Sequence, residues 1–311
     1  ATVAAGGGMV IPTMLEKGYD KKFVLALIAA AGSIGVIIPP SIPMVIYAVT
    51  TNSSVSTLFL AGFVPGILIG LVLIAYSYFY AKKMGYKGDD EPFSVKRALR
   101  ETKEGFWAIL SPVIILGGIY GGIFTPTEAA AVSVVYGLFV GIFIYKEVSF
   151  KDLRGLLVES GKTTGGIMLI VACASLFSFV CTRFGISTAA SELLARVAGN
   201  QFTFLLICNI IFLIAGCFID ANSAMYIFIP IMLPVCKALG YDVVAFGIVA
   251  TVNLAIGQVT PPVGVNLYVA CGIGDIKIEE ITKGIIPCLL AELVVLLLVT
   301  YIPSLSLMFV G

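Results

Sequence analysis

The chain has 311 residues, of which 59% are hydrophobic and only 12% are charged, and its formal net charge is +1. A soluble domain cannot cover that much apolar surface, so lipid must be its main solvent. Backbone in hydrocarbon must satisfy its own hydrogen bonds, which predicts helices rather than an open sheet. We therefore expect an all-α, multi-pass protein in a lipid bilayer, and the near-neutral charge gives no reason to expect a nucleic-acid partner.

The chain contains no histidine, so the commonest metal ligand and the commonest general base are both missing from its sequence. Its seven cysteines lie in or beside apolar stretches and form no close-spaced ligand motif. We interpret them as small packing residues.

The first predicted element is residues 2–16, the returning arm of a re-entrant hairpin whose entering arm would precede residue 1. A broken helix follows, with halves at Lys22–Ile34 and up to Val49 and a break at Gly35–Ser41. A long helix from Thr57 then leads to a charged connector ending at Glu104. Because the chain starts partway through the first unit, we expect the natural protein to have more residues before it.

The second half begins with two helices, Gly105–Ile123 and Pro126–Tyr145, an amphipathic interfacial piece at Ser149–Ser160, and a span at Thr163–Arg183. A short surface helix, a complete hairpin, a second broken helix and a last helix follow. The surface helix is predicted at 187–198 and the hairpin at 201–239. The second broken helix is predicted at 243–271, with its break at Gly257–Gly264, and the last helix at Lys283–Tyr301.

Residues 12–68 and 234–290 repeat one segment without a gap. The offset that aligns Pro39 with Pro261 (261 − 39 = 222) also aligns Pro12 with Pro234 and Pro65 with Pro287. Proline pairs at matching places in two apolar halves are typical of transporters with broken helices. An old duplication kept only for packing is the weaker alternative, because packing does not explain paired helix breakers.

Positive charge predicts the orientation of the two copies. When the helices are threaded alternately, sixteen of the 19 Lys and Arg residues fall on one side, and only Arg183, Arg196 and Lys237 fall on the other. The richer side is therefore expected to be cytoplasmic. The two copies then have opposite orientations, which is an inverted repeat. Counting 202–219 as a full span would spoil this alternation.

The two breaks are the strongest candidates for a binding site. Two consecutive prolines remove two backbone donors, so carbonyl groups one turn earlier lose their partners. Freed carbonyls beside a hydroxyl or amide suit a hard monovalent cation such as Na⁺. The second half-helix of each pair presents its N-terminal amides to an anion. Two proline kinks that neighbouring helices satisfy again are the structural alternative.

Other polar residues have both a functional and a structural interpretation. Asp220, which is followed by Asn222 and Ser223 at the hairpin tip, is expected to hold a cation or a proton and also to cap the returning arm. Asn253 and Asn266 flank the second break and either complete a binding shell or link helices. Glu128 is expected to form a capping box with Thr125. Glu292 has no obvious partner, which favours helix packing or a subunit contact.

Three motifs in chain order resemble the large membrane subunit of tripartite ATP-independent periplasmic (TRAP) transporters, and the likeness covers the whole chain. They are Gly35-x-Ile37-Ile38-Pro39-Pro40-Ser41-Ile42-Pro43, Phe124-Thr125-Pro126-Thr127-Glu128-Ala129-Ala130-Ala131 and Gly257-x-x-Thr260-Pro261-Pro262-x-Gly264-x-Asn266-Leu267. The resemblance implies a Na⁺-driven importer of small organic anions in the bacterial inner membrane. It also implies an elevator mechanism, a small membrane subunit and a soluble periplasmic substrate-binding protein.

The resemblance places one Na⁺ between the first hairpin tip and the first break, a second between the second tip and second break, and the substrate near both proline pairs. The expected Na⁺ ligands are Ser33, Gly35, Asp220, Asn222, Ser223, Asn253, Gly257 and Thr260. The expected substrate contacts are Pro39, Pro40, Ser41, Pro261, Pro262, Gly264 and Asn266. The predicted organisation has transport segments at 1–50 and 201–272, and scaffold or connecting segments at 51–104, 105–200 and 273–311.

Three other functions were weighed. A stand-alone Na⁺/dicarboxylate symporter would have similar hairpins, but the stretch from Thr125 to Ala131 argues against it. An intramembrane enzyme would need several catalytic groups aimed at one point, and Glu128, Asp220 and Glu292 lie on separate predicted elements. A passive channel would need a pore ring, which no pattern indicates. Both a C4-dicarboxylate and sialic acid remain open as substrates, with a lean toward sialic acid from overall likeness.

Overall fold

The computed structural model describes residues 2–86 and 94–310, and every regular element within those ranges is a helix. The first eight are α1 (Thr2–Glu16), α2 (Lys21–Ile37), α3 (Ile42–Thr51), α4 (Val55–Met84), α5 (Val95–Glu104), α6 (Phe106–Tyr120), α7 (Pro126–Phe139) and α8 (Leu153–Arg183). The others are α9 (Ile186–Ala198), α10 (Gln201–Phe218), α11 (Ala221–Ala238), α12 (Val243–Gly257), α13 (Val265–Gly274), α14 (Ile278–Tyr301) and α15 (Ser304–Leu307). A π-helical turn, Val140–Ile144, extends α7.

Seven helical segments of the described chain are long and apolar enough to cross a membrane, or eight if the bent pair α5–α6 counts as one span. The predicted all-α, multi-pass fold is confirmed. Residue 1 and the middle of the predicted connector, residues 87–93 with Lys87, lie outside the described ranges.

The internal repeat is visible in how the two long half-helices start. A glycine with positive φ, Gly18 or Gly240, precedes each of them at matching places. The Asp20 carboxylate accepts a hydrogen bond of 2.8 Å from the Phe23 amide, and the Asp242 carboxylate accepts one of 2.8 Å from Ala245. Each aspartate thus satisfies an amide of the first turn that has no partner within the helix.

The first helix break is shorter than predicted. Gly35 was expected to begin it, but α2 continues to Ile37 and the non-helical residues are 38–41. Two prolines explain this boundary, because the residue before a proline avoids helical geometry while residues further upstream do not. The second break, 258–264, matches the prediction to within one residue. Both proline pairs, Pro39–Pro40 and Pro261–Pro262, contain a cis peptide bond.

The chain forms two compact units, and the first consists of Ala1–Tyr86 and Cys173–Gly311. Its core is formed by α2 and α12, and α12 is buried along almost its whole length. Each returning hairpin arm packs on the short half-helix of the other repeat, so that α1 contacts α13 and α11 contacts α3. Both breaks therefore lie within one packed unit.

The long helices α4 and α14 also belong to this first unit, and both pack against α2. The sequence-based division placed 51–104 and 273–311 with the scaffold. In the structure, these two helices pack with the broken helices instead. Close packing does not say which helices move during transport, so the predicted division into moving and fixed segments stays a prediction.

The second unit is Lys87–Ala172. Within it, Thr125 and Glu128 form the predicted capping box: the Thr125 amide donates to Glu128 Oε2 at 2.8 Å, and the Glu128 amide donates to Thr125 Oγ1 at 3.3 Å. The separate amphipathic piece predicted at Ser149–Ser160 is wrong. It is continuous with the following span in α8, because a single glycine, Gly161, costs a helix only about 1 kcal/mol.

Candidate functional site

At the first break, the proline pair frees two carbonyl groups at the end of α2. Pro39 and Pro40 have no N–H to offer the carbonyls of Gly35 and Val36, which are four residues earlier. The Ser41 hydroxyl donates a hydrogen bond of 2.6 Å to the Val36 carbonyl and so replaces one missing donor. The Ser41 hydroxyl does not bond the Gly35 carbonyl. Gly35 therefore carries the carbonyl group whose helical partner the prolines remove and Ser41 does not replace.

The second break repeats the arrangement with backbone groups. The carbonyls four residues before Pro261 and Pro262 belong to Gly257 and Gln258. The Thr260 amide donates to the Gly257 carbonyl at 3.0 Å, and the Asn266 amide donates to the Gln258 carbonyl at 3.0 Å. Each oxygen keeps a second lone pair that can face an ion. The Thr260 hydroxyl donates to the Ile256 carbonyl at 2.8 Å, which leaves its own oxygen able to act as a ligand.

The two short half-helices start without a side-chain cap. Ser41 precedes α3 and Gly264 precedes α13, and neither makes a side-chain hydrogen bond to the first turn. Gly264 has φ +49, a backbone geometry that glycine adopts readily. A helix start without a side-chain cap presents the positive end of the helix dipole, which suits an anion, although the Asn266 amide of α13 is already bonded to the Gln258 carbonyl. The predicted substrate contacts at both breaks therefore sit beside such helix ends.

The tip of the complete hairpin is organised by Asp220. One carboxylate oxygen, Oδ2, accepts from the amides of Asn222 and Ser223 at 3.0 and 3.1 Å, and the Ser223 hydroxyl donates to Oδ1 at 2.6 Å. Asp220 thus caps α11, as predicted. The side-chain oxygen of Asn222 is buried and has no hydrogen-bond partner among the described residues, so one polar group of the tip is unsatisfied.

The start of this tip contacts the second break through two glycines. A Cβ on Gly257 would lie 2.7 Å from the Gly216 carbonyl carbon, so the backbones of α10 and α12 touch. The Gly264 amide also lies 3.4 Å from the Cys217 carbonyl oxygen, to which it donates. Gly216 was not among the predicted site residues, although a glycine four residues before the tip aspartate was the available signal.

The matching position of the first repeat, Gly35 near the end of α2, contacts the returning arm of the first hairpin, whereas Gly257 contacts α10, the first arm of the second hairpin. A Cβ on Gly35 would overlap the side chain of Thr2, so the Thr2 hydroxyl lies against the α2 backbone at this point. Nearby, a Cβ on Gly32 would come within 3.1 Å of the Asn266 side-chain nitrogen. That nitrogen is buried without a partner in the described chain. Asn266 therefore brings the start of α13 into contact with the first broken helix. Its side-chain nitrogen is a donor that this contact leaves unused.

Asn253 is engaged in a network between helices. Its side-chain nitrogen donates to the carbonyl oxygen and to the side-chain oxygen of Asn209 at 2.9 and 2.8 Å, and Asn209 donates to the Thr300 hydroxyl at 3.0 Å. These contacts join α12, α10 and α14. Of the two interpretations given for Asn253, the geometry favours the link between helices, although its own side-chain oxygen is buried without a partner among the described residues.

Ser33 contacts α14 through its hydroxyl. Its hydroxyl oxygen lies 2.7 Å from the Ala30 carbonyl and 2.7 Å from Glu292 Oε1. Glu292 was expected to have no obvious partner, and Ser33 is the partner that the structure supplies. Since these two contacts occupy the hydroxyl, we leave Ser33 out of the sodium site proposed below.

The available ligands suit a monovalent hard cation. No group of three or more His, Cys, Asp or Glu side chains comes together in the described part of the chain. The sites at the breaks offer carbonyl, hydroxyl and amide oxygens instead, which soft transition metals do not prefer. Paired broken helices, hairpin arms against their breaks, and oxygen-rich breaks beside uncapped helix ends together define a secondary membrane transporter.

Comparison with known proteins agrees with this class. Residues 1–305 match the family model described as tripartite ATP-independent periplasmic transporter, DctM component, so the chain belongs to this family of large TRAP permease subunits. The family consists of transporters, which confirms that the protein is not an enzyme. The chain is a multi-pass protein of the inner membrane.

Curated relatives cover the chain almost completely. It is 45% identical over its full length to the isethionate TRAP transporter permease protein DctMQ of Oleidesulfovibrio alaskensis. It is 40% identical, over 99% of its length, to the C4-dicarboxylate TRAP transporter large permease protein DctM of Rhodobacter capsulatus. It is 38% identical, over 97% of its length, to the sialic acid TRAP transporter large permease protein SiaM of Vibrio cholerae. The chain spans 49%, 73% and 70% of these three proteins.

Proposed function

We propose that this chain forms the ion and substrate pathway of a sodium-driven importer of a small organic anion. The observation that carries the proposal is the duplicated break: in each repeat a proline pair removes the usual helical partners of two carbonyls at the end of a long half-helix, and a hairpin arm contacts that same end. Thr2 lies against Gly35 in one repeat, and Gly216 lies against Gly257 in the other.

The sodium ligands follow from these contacts. We assign the first ion to the Gly35 carbonyl together with the tip of the first hairpin. The second ion is assigned to the Gly257 carbonyl, Thr260 and the end of α10 near Gly216, with Asp220 supplying negative charge at the tip. An ion at either place would bind carbonyl oxygens that accept a backbone hydrogen bond in an unbroken helix. It would also tie a hairpin to a break, so that the empty site is looser than the filled one.

The anion is assigned to the space beside the uncapped starts of α3 and α13. Ser41, Gly264 and Asn266 lie there, and the unused Asn266 donor lies beside Gly32 of α2. The names of the relatives mention isethionate, which is a sulfonate, and C4-dicarboxylates and sialic acid, which are carboxylates. All of these compounds are small organic acids. We therefore propose an organic acid anion as the substrate class, with isethionate, a C4-dicarboxylate and sialic acid as the compounds to test.

The moving part is proposed to be the first compact unit, in which the hairpins and broken helices pack together. Because α4 and α14 pack on α2 in the same unit, we propose that they move with it. The unit would cross the membrane as an elevator only when its sites are filled, since an empty site leaves polar groups and negative charge unsatisfied in hydrocarbon. A small membrane subunit and a periplasmic binding protein are the proposed partners, as the tripartite family description implies.

Uptake into proteoliposomes tests this function. The full-length permease, with its small membrane subunit and binding protein, would be given each labelled anion under an inward Na⁺ gradient and under choline. We expect uptake of at least one anion that needs both Na⁺ and the binding protein and falls in Thr260→Ala. Uptake that is indifferent to Na⁺ and to the binding protein would overturn the proposal.

A further inference from the structure

Glu292 is an acidic side chain buried inside the membrane-spanning helix α14. It is 0% exposed, and its Oε1 lies 2.7 Å from the Ser33 hydroxyl oxygen on α2. Its second oxygen, Oε2, is also buried and has no hydrogen-bond partner in the described chain. An ionised carboxylate in such surroundings is costly unless it is compensated, so this residue needs an explanation beyond packing.

The contact geometry shows which form of the side chain fits. Ser33 has one hydroxyl proton, yet its oxygen is 2.7 Å from both the Ala30 carbonyl and Glu292 Oε1. Two oxygens at this distance need a proton between them. Both contacts are satisfied when Ser33 donates to Ala30 and the neutral carboxylic acid of Glu292 donates to Ser33. The pair is thus a hydrogen bond between neutral groups across two helices.

The internal repeat shows that packing alone does not require this pair. Continuing the offset of 222 residues, the counterpart of Glu292 is Gly70, and the counterpart of Ser33 is Ala255. A Cβ on Gly70 would meet only Ile34, at 3.9 Å. The equivalent pair of positions, again one from each repeat, therefore holds two small apolar residues in place of a buried acid and a hydroxyl.

The pair lies close to the first sodium site proposed above. Ser33 is two residues before Gly35, whose carbonyl is freed by Pro39, and one residue after Gly32, which contacts Asn266. A hydrogen bond at Ser33 fixes how α2 is rotated against α14. The rotation of α2 decides where the Gly35 carbonyl points and how closely Thr2 approaches it.

We propose that Glu292 is a positioning residue for the first sodium site: its hydrogen bond to Ser33 anchors the end of α2 so that the Gly35 carbonyl is held in place for the ion. This inference rests on the proposed sodium-coupled function. Glu292 acts through Ser33 and is not itself an ion ligand. The side-chain amide of a glutamine can donate the same hydrogen bond, whereas leucine cannot.

The test measures sodium affinity in the reconstituted full-length transporter with its partners. Uptake of the transported anion is followed against Na⁺ concentration for Glu292→Gln, Glu292→Leu and Ser33→Ala. The control is Cys288→Ala, which changes an equally buried residue one turn earlier in α14. We expect Glu292→Leu and Ser33→Ala to raise the Na⁺ concentration for half-maximal uptake roughly fivefold, the factor that one net hydrogen bond represents. Glu292→Gln and Cys288→Ala should leave it within about twofold.

A double variant separates an effect through Ser33 from general damage. If Glu292 acts through Ser33, Ser33→Ala should add no further loss in a Glu292→Leu background. Unchanged sodium affinity in Glu292→Leu, or additive losses in the double variant, would overturn the inference alone. A loss in Glu292→Gln as large as in Glu292→Leu would also overturn it, because the carboxylate charge would then be required. Uptake by the unaltered protein that ignores Na⁺ would overturn the proposed function as well.

Discussion

Gly216 and Gly257 bring the backbones of α10 and α12 into direct contact, since a Cβ on Gly216 would stand only 3.0 Å from the Gly257 Cα. This contact places the end of a hairpin arm on the end of a broken helix, where the proline pair removes the helical partner of the Gly257 carbonyl and the Thr260 amide bonds it instead. No larger residue fits on either side without moving a backbone. The contact is therefore a direct backbone link between the hairpin and the second proposed sodium site.

Replacing Gly257 with alanine should disrupt this link. The added methyl group would meet backbone atoms, which cannot shift as a flexible side chain can, so we expect a loss of stability of about 1–3 kcal/mol and loss of sodium-dependent uptake. Thermal unfolding in detergent and uptake in liposomes would measure the two effects. The control is Gly272→Ala in α13, where a Cβ meets nothing within 4 Å and little change is expected. Equal behaviour of the two variants would contradict the close contact.

Asp220 has a capping role and a proposed ionic role, and two substitutions separate them. Asparagine caps a helix as well as aspartate does, so Asp220→Asn should change stability by less than about 0.5 kcal/mol. Because it removes the charge, we expect it to raise the Na⁺ concentration for half-maximal uptake by about tenfold. Asp220→Ala should lose both the charge and the cap, with a further stability cost of about 1 kcal/mol.

The comparison for Asp220 is made by titrating uptake with Na⁺ and by melting the same preparations. Sodium affinity in Asp220→Asn equal to that of the unaltered protein would show that the carboxylate serves only as a helix cap.

Asn253 and Asn209 should behave as one structural unit. Removing either side chain breaks the network that joins α10, α12 and α14, so we expect Asn253→Ala and Asn209→Ala each to lower stability by about 1–3 kcal/mol. The double variant should lose less than the two single losses together, because both remove the hydrogen bond between Asn253 Nδ2 and Asn209 Oδ1. Thermal unfolding of the four proteins measures this. Fully additive losses would mean that the two residues act independently.

The capping box at the start of α7 is expected to be structural only. Thr125→Ala removes the acceptor for the Glu128 amide, so stability should fall by about 1 kcal/mol. Sodium affinity and maximal uptake should stay unchanged, since the box lies in the second compact unit and its groups satisfy each other. A change in sodium dependence without a change in stability would assign this motif a role in transport.

Much of the fold was predictable because a few residues determine it locally. The proline pairs predicted both breaks, and the pattern Thr125-Pro126-Thr127-Glu128 predicted the capping box. The position of Gly35 inside α2 was missed, because a glycine makes unwinding easier without requiring it. The continuity of α8 was missed because Gly161 and Lys162 look like a linker but do not stop a helix.

The contacts between distant residues were harder to predict from one sequence. Glu292 and Ser33 are far apart in the chain, and nothing in the local pattern of either residue indicates the other. The same is true of Asn209, which decides that Asn253 links helices. The close approach of Gly216 to Gly257 also depends on how two helices cross. Such contacts follow from tertiary packing, whereas the repeat predicted only which positions correspond.

Parallel measurement of sodium and substrate flux tests the central claim most directly. Proteoliposomes with the full-length transporter and its binding protein would receive labelled Na⁺ and the labelled anion together, for the unaltered protein and for Thr260→Ala. We predict that the anion's entry is accompanied by Na⁺ entry in a fixed ratio, and that both fluxes fall together in the variant. Anion accumulation with no accompanying Na⁺ flux would contradict the account.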